Sequence, residues 1–383
     1  MATMSPRERV TQALNHQEPD RVPTALGGGT YGIIDEVYLK LVGLLELGEP
    51  VAPFRTGHSV SYMDDRLLDM LQTDTRYIWP AASPNSAKFT TDQPDVRLDG
   101  FGQPWIRRGP YFHQGKPLLA DAEVDDIETL VQWPATSHPR WTQGVEERAR
   151  TLRENSDFYI IARMVTSYGP YLTAGQLRGV EQFFMDMAIN PDFAQALVDR
   201  ISQTIEELMQ GYIQAFGPYV DMVELPGDDY ATEQGMAFSP EMFQRYFKPY
   251  IRRMIEIIKG HRPEIKVMLH CDGVYRSILP DLIEVGVDAL NPIEPLPAMD
   301  PADLKRDFGD RISFLGAIDI RQALTGSQQD VIEEVKLRLK QLAPGGGYIV
   351  APANHIQPDV PPENVITLYE AARKYGRYPI QMN

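Results

Sequence analysis

Short apolar runs alternate with helical stretches along this chain. The runs are Val22–Leu26, Thr75–Trp79, Tyr159–Met164, Val220–Leu225, Lys266–His270, Val287–Asn291, Ile312–Gly316 and Tyr348–Ala351, each ending on or beside a polar or small residue. Continuous apolar runs between helices suit parallel strands buried on both faces. Eight strand–helix units predict an α/β fold, a (β/α)8 TIM barrel with an N-terminal helix. Barrels of this kind carry chemistry where strands end. The positions to examine are therefore Glu224, Asp228, His270, Asp272, Asn291, Asp319, Asn354 and His355.

Helix signals agree with this frame. Ser5-Pro6-Arg7-Glu8 combines a cap, a first-turn proline and a capping-box acid, and the helix it opens runs to about His16. Further helices are predicted at Gly179–Ala188, Pro191–Phe216, Pro240–Lys259, Pro301–Phe308, Asp330–Leu342 and Pro362–Tyr375. Gly27-Gly28-Gly29 follows the first run. It reads either as a plain turn or as backbone that approaches a ligand or forms a lid.

Residues 81–140 break the rhythm and are rich in Pro and Gly; all four tryptophans fall between Trp79 and Trp141. Asp99-Gly100-Phe101-Gly102 between two short β-prone runs predicts a hairpin. The chain, 1–383, is read as one barrel domain with 81–140 inserted over one end, and the tryptophans as that insertion's small core.

Composition narrows the function. A net charge of −16 argues against a nucleic-acid surface. A single cysteine, Cys271, excludes an intrachain disulfide and suits the cytoplasm. No apolar run approaches the roughly 18 residues of a membrane span, and the N-terminus lacks a signal-peptide core. The expectation is a cytoplasmic protein acting on a small molecule, with no nucleic-acid or membrane partner.

The strongest local constellation is His270-Cys271-Asp272 at the end of a run. Strand alternation turns His270 and Asp272 the same way and Cys271 the other. The pair can share a metal ion or act as an oriented acid–base couple. The plainer readings are a core histidine and a helix-capping aspartate. Asn354-His355 follows the last run, and His355 can join His270 and Asp272 in a ligand set. Glu224 and Asp228-Asp229 follow another run. Glu224 and Asp228 are candidate catalytic acids or ligands, and one aspartate of the doublet is expected to stabilise the turn. Asn291, Asp319, Asn354 and Gly28 are candidate cofactor or ligand contacts; Glu294 is a further polar candidate. Arg76, Arg163 and Arg178 are candidate anion binders, with Arg178 equally readable as a structural ion pair.

Several stretches resemble the uroporphyrinogen decarboxylase superfamily: RERVTQALNHQEPDRVP at 7–23, LLDMLQTDTR at 67–76, QLRGVEQFFMDMA at 176–188, GDDYATEQGMAFSPEMFQRYFKPY at 227–250, LHCDGVYRSILPDLIEVGVDALNPIEP at 269–295, FLGAIDIRQAL at 314–324 and PPENVITLYEAARKYG at 361–376. The resemblance spans nearly the whole chain and implies a (β/α)8 barrel. The family contains porphyrinogen decarboxylases and cobalamin-dependent methyltransferases. The decarboxylases carry an arginine-bearing motif after the first strand that binds substrate carboxylates. Here that stretch reads Thr24-Ala25-Leu26-Gly27-Gly28-Gly29-Thr30-Tyr31, without a guanidinium. The methyltransferases carry a zinc site of His-x-Cys and a later Cys. Here Asp272 replaces the first cysteine, and Asn354-His355 stands where the second would fall.

The resemblance therefore implies methyl transfer between a small molecule and a corrinoid, free or carried by a corrinoid protein, with methylcobalamin and a divalent metal such as zinc as the cofactors expected. The runner-up is a decarboxylase of a small or porphyrinogen-like carboxylate, and a third reading is a non-catalytic corrinoid- or ligand-binding module.

Overall fold

The computed structural model describes residues 3–55, 58–81, 93, 95–108 and 111–381. Seven parallel strands follow one another around a curved sheet: Thr75–Ile78, Tyr159–Ala162, Met222–Glu224, Lys266–His270, Ala289–Asn291, Ser313–Ile318 and Tyr348–Pro352. Their register runs from Thr75 opposite Tyr159, through Asn291 opposite His270, to Gly316 opposite Val350. Every residue of Tyr159–Ala162 and of Tyr348–Pro352 is buried. Burial on both faces is why these runs are continuously apolar rather than alternating.

Val22–Leu26, expected as the first strand, is not a regular strand. It makes one parallel bridge, Thr24 to Val350, with Ala25 N donating to Val350 O and Val350 N to Pro23 O, both at 2.9 Å. On its other side Asp74 N donates to Thr24 O at 2.9 Å. The segment thus links the two edges of the seven-stranded sheet, in the eighth place of the barrel. Pro23 has no N–H for a ladder and glycines follow Leu26, so pairing stops after one bridge. Buried Asp74 holds this seam, pairing with Arg9 at 2.6 Å and Arg21 at 2.8 Å and accepting from Thr24 N at 2.8 Å.

Helices separate the strands. Pro6–Leu14 opens with the expected capping box, Ser5 and Glu8 bonding each other's backbone. Pro191–Phe216 buries Phe193, Leu197, Ile201, Ile205, Leu208, Tyr212 and Phe216, a stripe at helical spacing that turns one face of the helix into the core. The expected helix Pro240–Lys259 is two, Pro240–Tyr246 and Lys248–His261, meeting at Phe247. Pro249 withholds one amide hydrogen and crowds the carbonyl four residues back, so one helix cannot continue through it.

Val96–Leu98, Pro104–Arg108 and Tyr111–Gln114 form an antiparallel sheet between the first two barrel strands. The hairpin turn forms at Asp99–Gly102, where the Asp99 carboxylate accepts from Phe101 N and Gln103 N. Trp133 lies edge-on to Phe101 at 5.8 Å and Trp79 lies 5.1 Å from Phe54, all partly buried. Parts of the 81–140 stretch, including 82–92, fall outside the described residues. Among the described residues no helix is long and apolar enough to cross a membrane.

Candidate functional site

Glu224, His270 and Asn291 end three strands that are neighbours in the sheet, so their side chains gather at its carboxyl end. All three are nearly or fully buried. Asn291 orients His270. Its amide oxygen lies 3.1 Å from His270 Nδ1 and accepts from Thr30 Oγ1 at 2.6 Å, while its amide nitrogen donates to Leu315 O at 3.2 Å. Nδ1 therefore carries a hydrogen, and Nε2 faces Asp229 Oδ1 at 3.6 Å and Asp272 Oδ1 at 3.7 Å.

Burial disfavours the charged imidazole, but the Asp272 and Asp229 carboxylates and the Asn291 carbonyl outweigh it and raise His270 to about 9. In turn, burial raises Asp229, opposed by His270. Asp272 is held from two sides: Asn354 Nδ2 donates to its Oδ2 at 3.0 Å, and its backbone N donates to Asp229 Oδ1 at 2.9 Å. It does not cap the following turn, whose Gly273 and Val274 amides bond Glu294 and the Thr232 carbonyl instead.

Beside this group, Glu224 accepts from Tyr31 Oη at 2.7 Å and from Gly29 N at 2.8 Å. Burial raises its pKa, and Arg163, Tyr31 and Gly29 hold the rise back. The triple glycine is a close approach. A Cβ on Gly28 would overlap the Tyr31 ring and Glu224 Oε1, and one on Gly29 would meet Glu224 Oε2 at 2.9 Å. Gly28 also offers its carbonyl to Arg163 Nη2 at 3.0 Å.

Other expected residues lie elsewhere or are committed differently. His355 is not in the group that can share one ion; Asp229 stands in the third position. His355 Nδ1 accepts from Gly32 N at 2.9 Å, and burial, with Arg163 and His58 nearby, pushes it down to about 3. It is therefore a neutral imidazole with its hydrogen on Nε2. Asp228 turns both oxygens onto the start of the helix Pro170–Arg178, accepting from Tyr171 N at 3.0 Å and Leu172 N at 2.9 Å. Burial nonetheless pushes it up to about 8, against those donors and Tyr230. Asp319 accepts from Arg321 N and Gln322 N in its own turn. Arg178 is a structural ion pair with Asp186 at 2.7 Å, and Arg76 pairs with Asp69 while stacking on Phe158. Tyr31 and Thr30 carry no signal of their own in the sequence, and the doublet leaves open which aspartate holds the turn. The Asp228-Asp229 doublet was the available signal, and its two members divide the work between helix start and site.

The donor set fits a divalent cation. One imidazole nitrogen and two carboxylates have ligand atoms within 4.8 Å of one another. Asp272 Oδ1 is buried without a hydrogen-bond partner, and His270 Nδ1–H is oriented by an outer carbonyl. Two carboxylates with one imidazolium carry one surplus negative charge; with a neutral imidazole and a dication the set is balanced. It is a harder site than a thiolate one, because Cys271 is buried with its thiol against Asp272 O at 3.5 Å.

A parallel α/β sheet closed toward a barrel, with an imidazole and carboxylates at its strand ends, has the layout of a barrel enzyme. The sequence profile described as Uroporphyrinogen decarboxylase (URO-D) matches residues 108–375. The chain belongs to this enzyme family. It is 27% identical over 193 residues to the uroporphyrinogen decarboxylase of Chloroherpeton thalassium, covering 49% of this chain and 51% of that one. Against that of Prochlorococcus marinus strain AS9601 it is 23% identical over 205 residues, 53% of this chain and 55% of that one. The chain thus spans about half the length of the curated relatives it matches. A methyltransferase from Methanosarcina mazei has the same fold, with a TM-score of 0.63 at 20% identity over 97% of this chain and 99% of that one.

Proposed function

We propose that this protein moves a methyl group between a small molecule and a corrinoid. The observation that carries the reading is the arrangement of His270. Its Nε2 faces Asp229 and Asp272 while Asn291 fixes Nδ1, which is what a divalent ion needs from a strand-end imidazole. Asp229, His270 and Asp272 would hold the ion, with Asn291 and Asn354 orienting them. Once bound, the metal would supply Lewis-acid polarisation of an oxygen or other donor atom. Glu224, kept toward its protonated form by burial, is positioned by Tyr31 and Gly29 to give a proton to an oxyanion left when a methyl group departs. The same neighbourhood argues against uroporphyrinogen. The stretch that carries substrate-binding arginines in decarboxylases is here Gly27–Gly29, with Gly28 and Gly29 close against Glu224 and no guanidinium among the three.

The runner-up is decarboxylation of a small carboxylate. One observation favours it: Asp228, fully buried and pushed up to about 8, is a proton reservoir for a carbanion equivalent. One experiment separates the two. Purified protein, assayed for metal content, is mixed with cob(I)alamin and a panel of methoxylated or methylated compounds, and methylcobalamin is followed by absorbance. Methylcobalamin formation that needs both protein and methyl donor supports the proposal. Carbon dioxide release from a carboxylate panel without any methylcobalamin would overturn it in favour of the second reading.

A further inference from the structure

Five arginines among the described residues are buried to below a tenth exposure: Arg9, Arg76, Arg163, Arg178 and Arg338. Four of them meet a carboxylate: Arg9 with Asp20 and Asp74, Arg76 with Asp69, Arg178 with Asp186 and Arg338 with Glu334. A buried guanidinium without such a partner is costly. Arg163 is the exception. It is 4% exposed, its Nη2 bonds only the Gly28 carbonyl, and its Nε has no partner. The acid whose field bears most on it, Glu224, is held toward its neutral form by burial and already accepts from Tyr31 and Gly29.

A second guanidinium adds to the imbalance. Arg55 donates through Nε to Val60 O at 2.6 Å, while its buried Nη2 has no partner. Arg55 and Arg163 both lie over the Phe54 ring, 5.1 and 4.8 Å from its centroid, so two like charges share one aromatic side chain. Burial and the field of Arg163 push Arg55 down to about 9, and Asp35 only partly opposes them. Arg163 bonds the Gly28 carbonyl, and the next residue, Gly29, donates to Glu224, which ends the strand beside that of His270, so this guanidinium borders the strand-end group.

We propose that Arg55 and Arg163 form a subsite for the carboxylate of an organic substrate whose reacting end lies toward His270. Two unpartnered guanidinium nitrogens, one from each arginine over the same Phe54 ring, offer one donor for each oxygen of a carboxylate. The ring of Phe54, with Trp79 5.1 Å from it, offers apolar surface to a substrate body next to that group. The inference deepens the methyl-transfer reading by giving the substrate its charge class: a small monoanion, in place of the octa-anion that a porphyrinogen would bring.

The test is binding, with turnover measured separately. Benzoate, its neutral analogue benzamide and inorganic phosphate are titrated into the full-length protein by calorimetry. Benzoate should bind at least ten-fold more tightly than either of the others. Arg163→Met and Arg55→Met should each weaken benzoate ten-fold or more and leave benzamide unchanged. Arg55 lies in a loop, so its variant decides the matter if Arg163→Met fails to fold. Equal binding of benzoate and benzamide, stronger binding of phosphate, or benzoate affinity unmoved by Arg55→Met would overturn the subsite. Failure of methyl transfer would leave the benzoate result standing. Conversely, methyl transfer from neutral donors only, with no benzoate binding, would remove this inference and spare the functional reading.

Discussion

Asn291 presents its amide oxygen to His270 Nδ1 at 3.1 Å while its amide nitrogen donates to Leu315 O at 3.2 Å. The second bond determines the first. Rotating the amide would set its NH2 against the imidazole N–H and would turn its oxygen onto the Leu315 carbonyl. The strand-end asparagine thereby fixes which imidazole nitrogen is available to Asp229 and Asp272.

Removing that constraint should weaken a bound ion without unfolding the protein. Asn291→Ala is expected to lower divalent-ion affinity by about 10–100-fold. Competition against a chromogenic chelator measures it. Unchanged affinity would mean that His270 does not ligate through Nε2.

The metal-free protein should depend on pH through His270. Its folded value, about 9, lies above the ordinary 6.5. The stability it contributes is therefore fully present below about pH 6.5 and is lost as pH rises through about 9. Urea midpoints of chelator-treated protein should fall across that window, and His270→Gln should flatten the slope. A divalent ion must displace the same proton, so calorimetry near pH 7 in two buffers of different ionisation heat should report about one proton released. Release of none would argue against this donor set.

The glycine loop and Glu224 should be energetically linked. Gly28→Ala would drive a methyl group into the Tyr31 ring and Glu224, with an expected loss of about 1–3 kcal/mol. Tyr31→Phe removes the donor to buried Glu224 Oε1 and should cost a similar amount, about 1–3 kcal/mol. If the couplings are shared, the double variant measured by urea unfolding will lose less than the sum. Additive losses would mean that the loop and the hydroxyl act independently.

Asp228 should behave as a structural anchor. Asp228→Ala strands two helix-start amides, Tyr171 N and Leu172 N, and should destabilise by about 1–3 kcal/mol. Asp228→Asn keeps one acceptor and should lose less. Methyl-transfer turnover per folded molecule should survive in Asp228→Asn; a fall of roughly 10²-fold or more would restore Asp228 to the chemistry.

Uroporphyrinogen should not be a useful substrate, since the first barrel segment carries glycines where clamps would be needed. Incubation with uroporphyrinogen under anaerobic conditions should yield no coproporphyrinogen by chromatography. Product at ordinary turnover, on the order of 1 per second, would sink the methyl-transfer proposal.

Much of the scaffold was readable from the chain because its signals are local. The capping box at Ser5–Glu8, the apolar stripe of Pro191–Phe216 and the hairpin at Asp99–Gly102 depend on residues a few positions apart. The strand ends Glu224, His270 and Asn291 were legible for the same reason: polar residues closing apolar runs must surface together when the strands lie parallel. The division of Pro240–His261 at Phe247 is local as well, since Pro249 bars a continuous helix. What the chain alone could not decide was which side chains meet across loops. Gly29 reaches Glu224 over 195 positions and Asn354 reaches Asp272 over 82. Whether Asp229 or His355 completes the group at His270, whether Asp228 faces the site or a helix start, and which arginine is left without a carboxylate are set by loop paths. Those paths follow from the packing of the whole barrel, and short-range propensity does not encode them.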